Sequence, residues 1–170
     1  MRVTAIAAAA AAMILAGCGS SGEETPVKEA AASLKPGEYQ LAWSDIEMKA
    51  IDPKEKALAP IDAAAAFPAK ACVSSRGGID PPVFAETGDE CKSVNSYTRN
   101  GLVNIQLTCT REGKGKLASM IDGKFAAESF DAKVQTSTSF SGEGNYTMSR
   151  SVSGKRIGDC PAAPPGTEAP

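Results

Sequence analysis

The 170-residue chain contains no histidine, one tryptophan, three tyrosines and five phenylalanines. Without an imidazole, Ser-His-Asp and Cys-His catalysis are excluded, as are the common zinc sites built on histidine. No remaining side chain ordinarily titrates near neutrality. The five cysteines include no C-x-x-C pair, so the usual spacing of a metal knuckle is missing. The longest apolar run falls short of the about 20 residues a spanning helix needs. Charge of one sign is also missing: 18 Lys and Arg stand against 20 Asp and Glu. Such a balance marks no nucleic-acid partner. Arg76–Gly78 and Gly142-x-Gly144 are too short to cradle phosphate and read as turns. No cofactor and no metal are expected.

The chain opens with Met1-Arg2, followed by an Ala-, Ile-, Met- and Leu-rich run from Val3 to Ala16. A positive start and a short apolar core describe a secretory signal peptide. The run ends in Leu15-Ala16-Gly17-Cys18, which resembles the bacterial lipobox. The resemblance implies that residues 1–17 are removed and that Cys18 is acylated with palmitate-type chains. Each buried CH₂ of such chains contributes about 0.8 kcal/mol, so two or three chains anchor stably in a membrane. Cys18 is then unavailable for a disulfide. Gly19 stands where an aspartate would imply retention at the inner membrane. Its presence resembles the default sorting to the outer membrane, facing the periplasm.

Residues 18–34 are small and polar and read as the lipidated cysteine and a flexible tether. Residues 161–170, Pro- and Ala-rich, read as a disordered tail. Between them, residues 35–160 are long enough for one core. They hold Cys72, Cys91, Cys109 and Cys160, an even set that reads as two disulfides in an oxidising compartment. Asn100-Gly101 is a hairpin signal between two strand-like runs. A three-residue loop places Thr98 opposite Leu102 and Cys91 opposite Cys109. A two-residue loop shifts the register by one and puts Cys91 opposite Thr110. The first register favours Cys91–Cys109, with Cys72–Cys160 by elimination.

Apolar residues alternate at Tyr39, Leu41 and Trp43, then shift phase to Ile46 and Met48, as a bulged strand does. Asp52-Pro53 is a helix-start signal, and "DAAAAF" is a short helical turn. "AKACVSS" reads as a strand and "RGGIDPPVFAETGDE" as loop throughout. Leu102–Thr110 alternates strictly. Lys116–Ile121 is expected as a short strand, with Asp122-Gly123 as a hairpin turn into one long run reaching Phe140. Tyr146, Met148, Arg150 and Val152 share a face of the last strand. About six or seven strands joined by tight turns give an all-β antiparallel meander, curved into a half-barrel or small barrel and stapled by two disulfides.

Several features together resemble the bacterial envelope family catalogued as domain of unknown function 3617. They are the lipobox, "PGEY" opening the first strand, the Cys91-to-Cys109 hairpin, the glycine-punctuated long strands and the terminal "GKRIGDC". The resemblance covers about Lys35–Cys160. It implies export and a disulfide-linked β domain, and it carries no activity.

Two readings of function follow. In the first, the curved sheet has a filled core and the protein is a structural or protein-interaction module, not an enzyme, that meets another envelope protein. In the alternative, the sheet binds a small apolar or amphipathic envelope molecule at its mouth. Tyr39, Trp43, Phe130 and Phe140 would then line the site, and Arg150 would meet an acidic group. A carboxylate-dependent hydrolase comes third, because Asp45, Glu47, Asp52, Glu55, Asp122, Glu128, Asp131 and Asp159 are scattered along strands and turns.

Overall fold

The computed structural model of the protein describes residues 33–52, 54, 61–73, 79–142 and 144–161. Cys18, the signal peptide, most of the tether, Pro53 and residues 55–60 of the expected helix start, and the tail beyond Pro161 lie outside them. Among the described residues no helix is long and apolar enough to cross a membrane.

Seven strands form one antiparallel sheet: β1 (Gly37–Ala50), β2 (Lys70–Val73), β3 (Asp89–Arg99), β4 (Leu102–Arg111), β5 (Gly115–Ala126), β6 (Ser129–Phe140) and β7 (Tyr146–Gly158). Their order is β2-β1-β7-β6-β5-β4-β3. Strands β3 to β7 are a meander of successive hairpins. The first strand then pairs with the last, and the sheet curls into a half-barrel. Alternation sorts the side chains. Along β4, Val103, Ile105, Leu107 and Cys109 are buried on the inner face, while Asn104, Gln106 and Thr108 face solvent. Strands β5, β6 and β7 repeat this, so one face carries the core and the other is wet.

The phase shift in β1 is a bulge. Ser44 pairs with Ser151 and Glu47 with Ser149, so one extra residue is taken up, and Asp45 adopts a positive φ of 52°. The shift keeps Ile46 and Met48 on the inner side after Trp43. The short helix α1 (Ala63–Ala66) starts where Asp62 accepts a hydrogen bond from the Ala64 N–H at 3.0 Å. It stops at Phe67, which is extended, as a residue before proline is.

The disulfides are Cys91–Cys109 and Cys72–Cys160. The route to the first differs from the expected three-residue loop. Asn100 and Gly101 both have positive φ, 54° and 75°, and form a two-residue turn with Arg99 opposite Leu102. That register alone would set Cys91 against Thr110. A bulge at Val94 intervenes: Asn95 pairs with Gln106 and Ser93 with Leu107. The extra residue restores the phase, and Cys91 faces Cys109. The other bridge ties the edge strand β2 to the segment that follows β7, with Cα atoms 5.6 Å apart.

Further expectations differ from the structure. Asp122-Gly123 is not a turn. Strand β5 runs through it, and the chain reverses at Ala127-Glu128, between Ala126 and Ser129. Gly123 is extended strand packed so closely on Ala132 that a Cβ there would meet the neighbouring backbone. The stretch expected as loop throughout contains, among the described residues, a 3-10 turn, Pro81–Phe84, and the start of β3. Ile79, Val83, Phe84, Ala85 and Glu86 are all buried. Leu34, assigned to the tether, is fully buried as well. Residues 61–69 and 79–88 roof the inner face, joined by the Thr87 N–H donating to the Ala66 carbonyl at 2.8 Å.

Candidate functional site

The five residues expected to line a ligand all lie on the inner face, but in three separate contacts. Tyr39 and Phe130 are buried with ring centres 5.9 Å apart, and Phe84 from the roof packs edge-on against Phe130 at 6.2 Å. Trp43 stacks on Phe67 at 4.7 Å, and its indole N–H donates to the Pro68 carbonyl. Phe140 meets the Tyr146 ring edge-on at 6.1 Å. Arg150 is only 1% exposed. Its guanidinium lies 5.5 Å from Trp43 and 4.7 Å from Phe67.

Arg150 follows from strand alternation, since it continues the inner row of Met148 and Val152. A buried cation there must be satisfied. One Nη donates to the Thr136 hydroxyl at 2.9 Å and the other to the Phe84 carbonyl at 2.6 Å. Nε has no acceptor among the described residues. Burial pushes the Arg150 pKa down to about 10, against the attraction of Glu86, Tyr146 and Asp89.

A second cluster closes the same end of the sheet. Arg111, at the end of β4, donates from Nε and Nη2 to the two Asp89 carboxylate oxygens at 2.7 and 2.9 Å. Its Nη2 lies 2.9 Å from Glu86 Oε2, and its Nη1 donates to the Tyr146 hydroxyl at 3.1 Å. The Tyr146 hydroxyl in turn donates to Glu86 Oε1 at 2.9 Å. The Asp89 side chain is fully buried and that of Glu86 is 8% exposed. The hydrogen bond to Asp89, chiefly, raises the Arg111 pKa. Burial, and then the Glu86 charge, push the Tyr146 hydroxyl up to about 12. Two carboxylates thus share one bonded guanidinium, that of Arg111, while Arg150 acts on them through space. The chemical effect of the cluster is to hold the roof and the start of β3 onto the sheet.

Glu86 and Asp89 were absent from the acids picked out by sequence. The signal was the apolar Val83-Phe84 pair inside a proline-rich loop, which marks a segment that returns to the core and brings its neighbours along. The acids that were picked out do not converge. Asp45, Glu47, Asp122, Glu128 and Asp131 are exposed. Asp52 accepts from the Lys54 N–H, and Asp159 pairs with Arg156. Glu55 lies outside the described residues.

The outer face carries shallow clefts, because short Ser, Thr and Ala side chains sit between longer ones. One, of about 330 Å³, is lined by Glu47, Lys49, Met120, Gln135, Thr147 and Ser149. Three more open on the same face around Asp122, Lys124 and Asp131.

The fold and this cluster define a class: an all-β, two-disulfide half-barrel whose hollow is filled by its own chain. The protein belongs to the family described as protein of unknown function (DUF3617), whose model matches residues 34–160. No curated protein and no solved structure matches it.

Proposed function

We propose that this protein is a lipid-anchored bacterial envelope protein whose β domain is a structural or protein-interaction module without enzymatic activity. The anchor is acylated Cys18, in the outer membrane and facing the periplasm. One observation carries the reading of the domain: Phe84 and the roof fill the concavity where a curved sheet would hold a ligand. With the inside occupied, the outer face and the sheet edges are the surfaces left for contact. The alternative, binding of an amphipathic envelope acid, is favoured by Arg150, whose Nε lacks an acceptor among the described residues and whose charge sits among aromatic rings. In that reading the acid displaces Phe84 and takes over its carbonyl's place on Arg150.

The test is native mass spectrometry on the full chain expressed in a bacterium that exports it. A membrane-bound species carrying acyl mass on Cys18, two disulfides and no retained small molecule is expected, with Cys18→Ser abolishing the acyl mass. A retained small molecule, lost in Arg150→Met, would replace the interaction reading with the binding one.

A further inference from the structure

We infer that the free edge of β3 is a self-pairing surface: two copies join their β3 strands antiparallel about a two-fold axis, making one continuous sheet across the dimer. This deepens the interaction reading above and rests on it.

The Asp89 N–H donates at 3.1 Å to the Glu86 carbonyl and not to β4. Asp89 is therefore a non-hydrogen-bonded partner of Arg111, and two-residue alternation turns Cys91 and Ser93 outward with it. At the other end, the two-residue turn makes Arg99 and Leu102 a hydrogen-bonded pair, which turns Thr98 and Ser96 outward. The Val94 bulge reconciles the two phases. Among the described residues no backbone–backbone hydrogen bond reaches this edge between Cys91 and Thr98; the Ser93 hydroxyl donates to the carbonyl of Asn95, a residue paired with Gln106 of β4, at 3.1 Å.

A two-fold axis between Val94 and Asn95 brings these groups together. Cys91 then faces Thr98 of the second copy, and Ser93 faces Ser96, so every outward donor meets an outward acceptor. The bulge decides what can bind. It breaks step with an ordinary strand, which is how bulges protect sheet edges. In an identical copy the same irregularity lies across the axis, and the groups on either side stay in step. The side chains agree in charge and in face. Exposed Glu90 meets exposed Arg99 of the copy, on the outer face, and Lys92 meets the Tyr97 ring. The contact is isologous and closes at two subunits.

The test is cysteine crosslinking of the full chain, solubilised from membranes in mild detergent and read on non-reducing gels. The axis places residue 92 opposite residue 97 in a non-hydrogen-bonded pair, the spacing a disulfide spans. Lys92→Cys/Tyr97→Cys in one chain should give a covalent dimer, and neither single variant should. Glu90→Arg or Arg99→Glu alone should raise the dimer dissociation constant at least about tenfold, with the double swap restoring it. A double cysteine variant that stays monomeric, or singles that crosslink as well, would overturn the pairing. A monomer that retains another envelope protein refutes self-pairing alone. A monomer that retains only a small amphipathic molecule refutes self-pairing and the interaction reading together.

Discussion

Arg111→Met should be among the most damaging single substitutions in the domain. The side chains are close in size, so the change leaves little void. What it removes is, among the described residues, the only cation bonded to both Glu86 and Asp89: two bonds to Asp89, the contact with Glu86 and the bond to the Tyr146 hydroxyl. Both carboxylates stay behind, Asp89 with no exposed side-chain surface. Breaking a buried pair from one side costs about 3–5 kcal/mol, because the stranded charge has lost its solvent as well as its partner. Arg150 offsets part of this only through space, since its hydrogen bonds go to Thr136 and Phe84. Urea unfolding of the oxidised chain, followed by Trp43 fluorescence, measures the loss as a shift in midpoint at constant slope. Trp43 stacks on Phe67, in the roof, and so reports on the elements the cluster holds. Adding Glu86→Gln and Asp89→Asn to Arg111→Met removes the stranded charges and should recover about 2 kcal/mol or more. If Arg111→Met costs under about 1 kcal/mol, or the neutralised triple variant is no more stable than the single one, the cluster does not hold the roof.

Tyr146 holds its proton more tightly folded than unfolded, with its pKa moved from 10.0 to about 12. Its contribution is therefore complete below pH 10 and is lost between pH 10 and 12, by about 2–3 kcal/mol. A tyrosinate absorbance titration should show this late transition, and Tyr146→Phe should remove it. Gly154→Ala should destabilise by about 1–3 kcal/mol in thermal unfolding, because its Cβ would enter the Phe130 ring. Removing Cys72–Cys160, which spans 88 residues, should cost about 4–5 kcal/mol, against about 3 for Cys91–Cys109 with its span of 18. Serine pairs at each bridge, compared in urea, test the order.

Alternation made most of the sheet legible. Where one face is buried and the other wet, as in β4 and β7, the residues declare their strand and their side. The β1 bulge was equally plain, since Trp43 and Ile46 cannot share a face without it. The β3 bulge was hidden, because β3 lies at an edge and most of its residues are exposed whichever way they point. The disulfide pairing was thus reached through a loop length the chain does not use. Asp122-Gly123 misled for a related reason: a glycine needed for close packing looks in sequence like one needed for a turn. In the roof the helical turn of "DAAAAF" was legible, but the 79–88 segment was missed because it follows neither a helical nor a strand period. Only Val83 and Phe84 betray it, and Glu86, Asp89, Arg111 and Tyr146 meet through contacts separated by up to 60 residues. Arg150 was picked out by its phase, but its burial beneath Phe84 depends on that same unseen segment.

The two disulfides are nested, with Cys91–Cys109 lying wholly inside the loop closed by Cys72–Cys160. This sets a problem of order for a chain made from its amino terminus. When Cys91 is synthesised, Cys72 is the nearest cysteine already present, and joining the two in sequence gives a wrong bond. Cys72 must stay reduced, or be exchanged later, until β7 is made and pairs with β1 beside β2. The Cys72–Cys160 bond thus waits on the completed sheet, and once formed it certifies that the first strand has found the last.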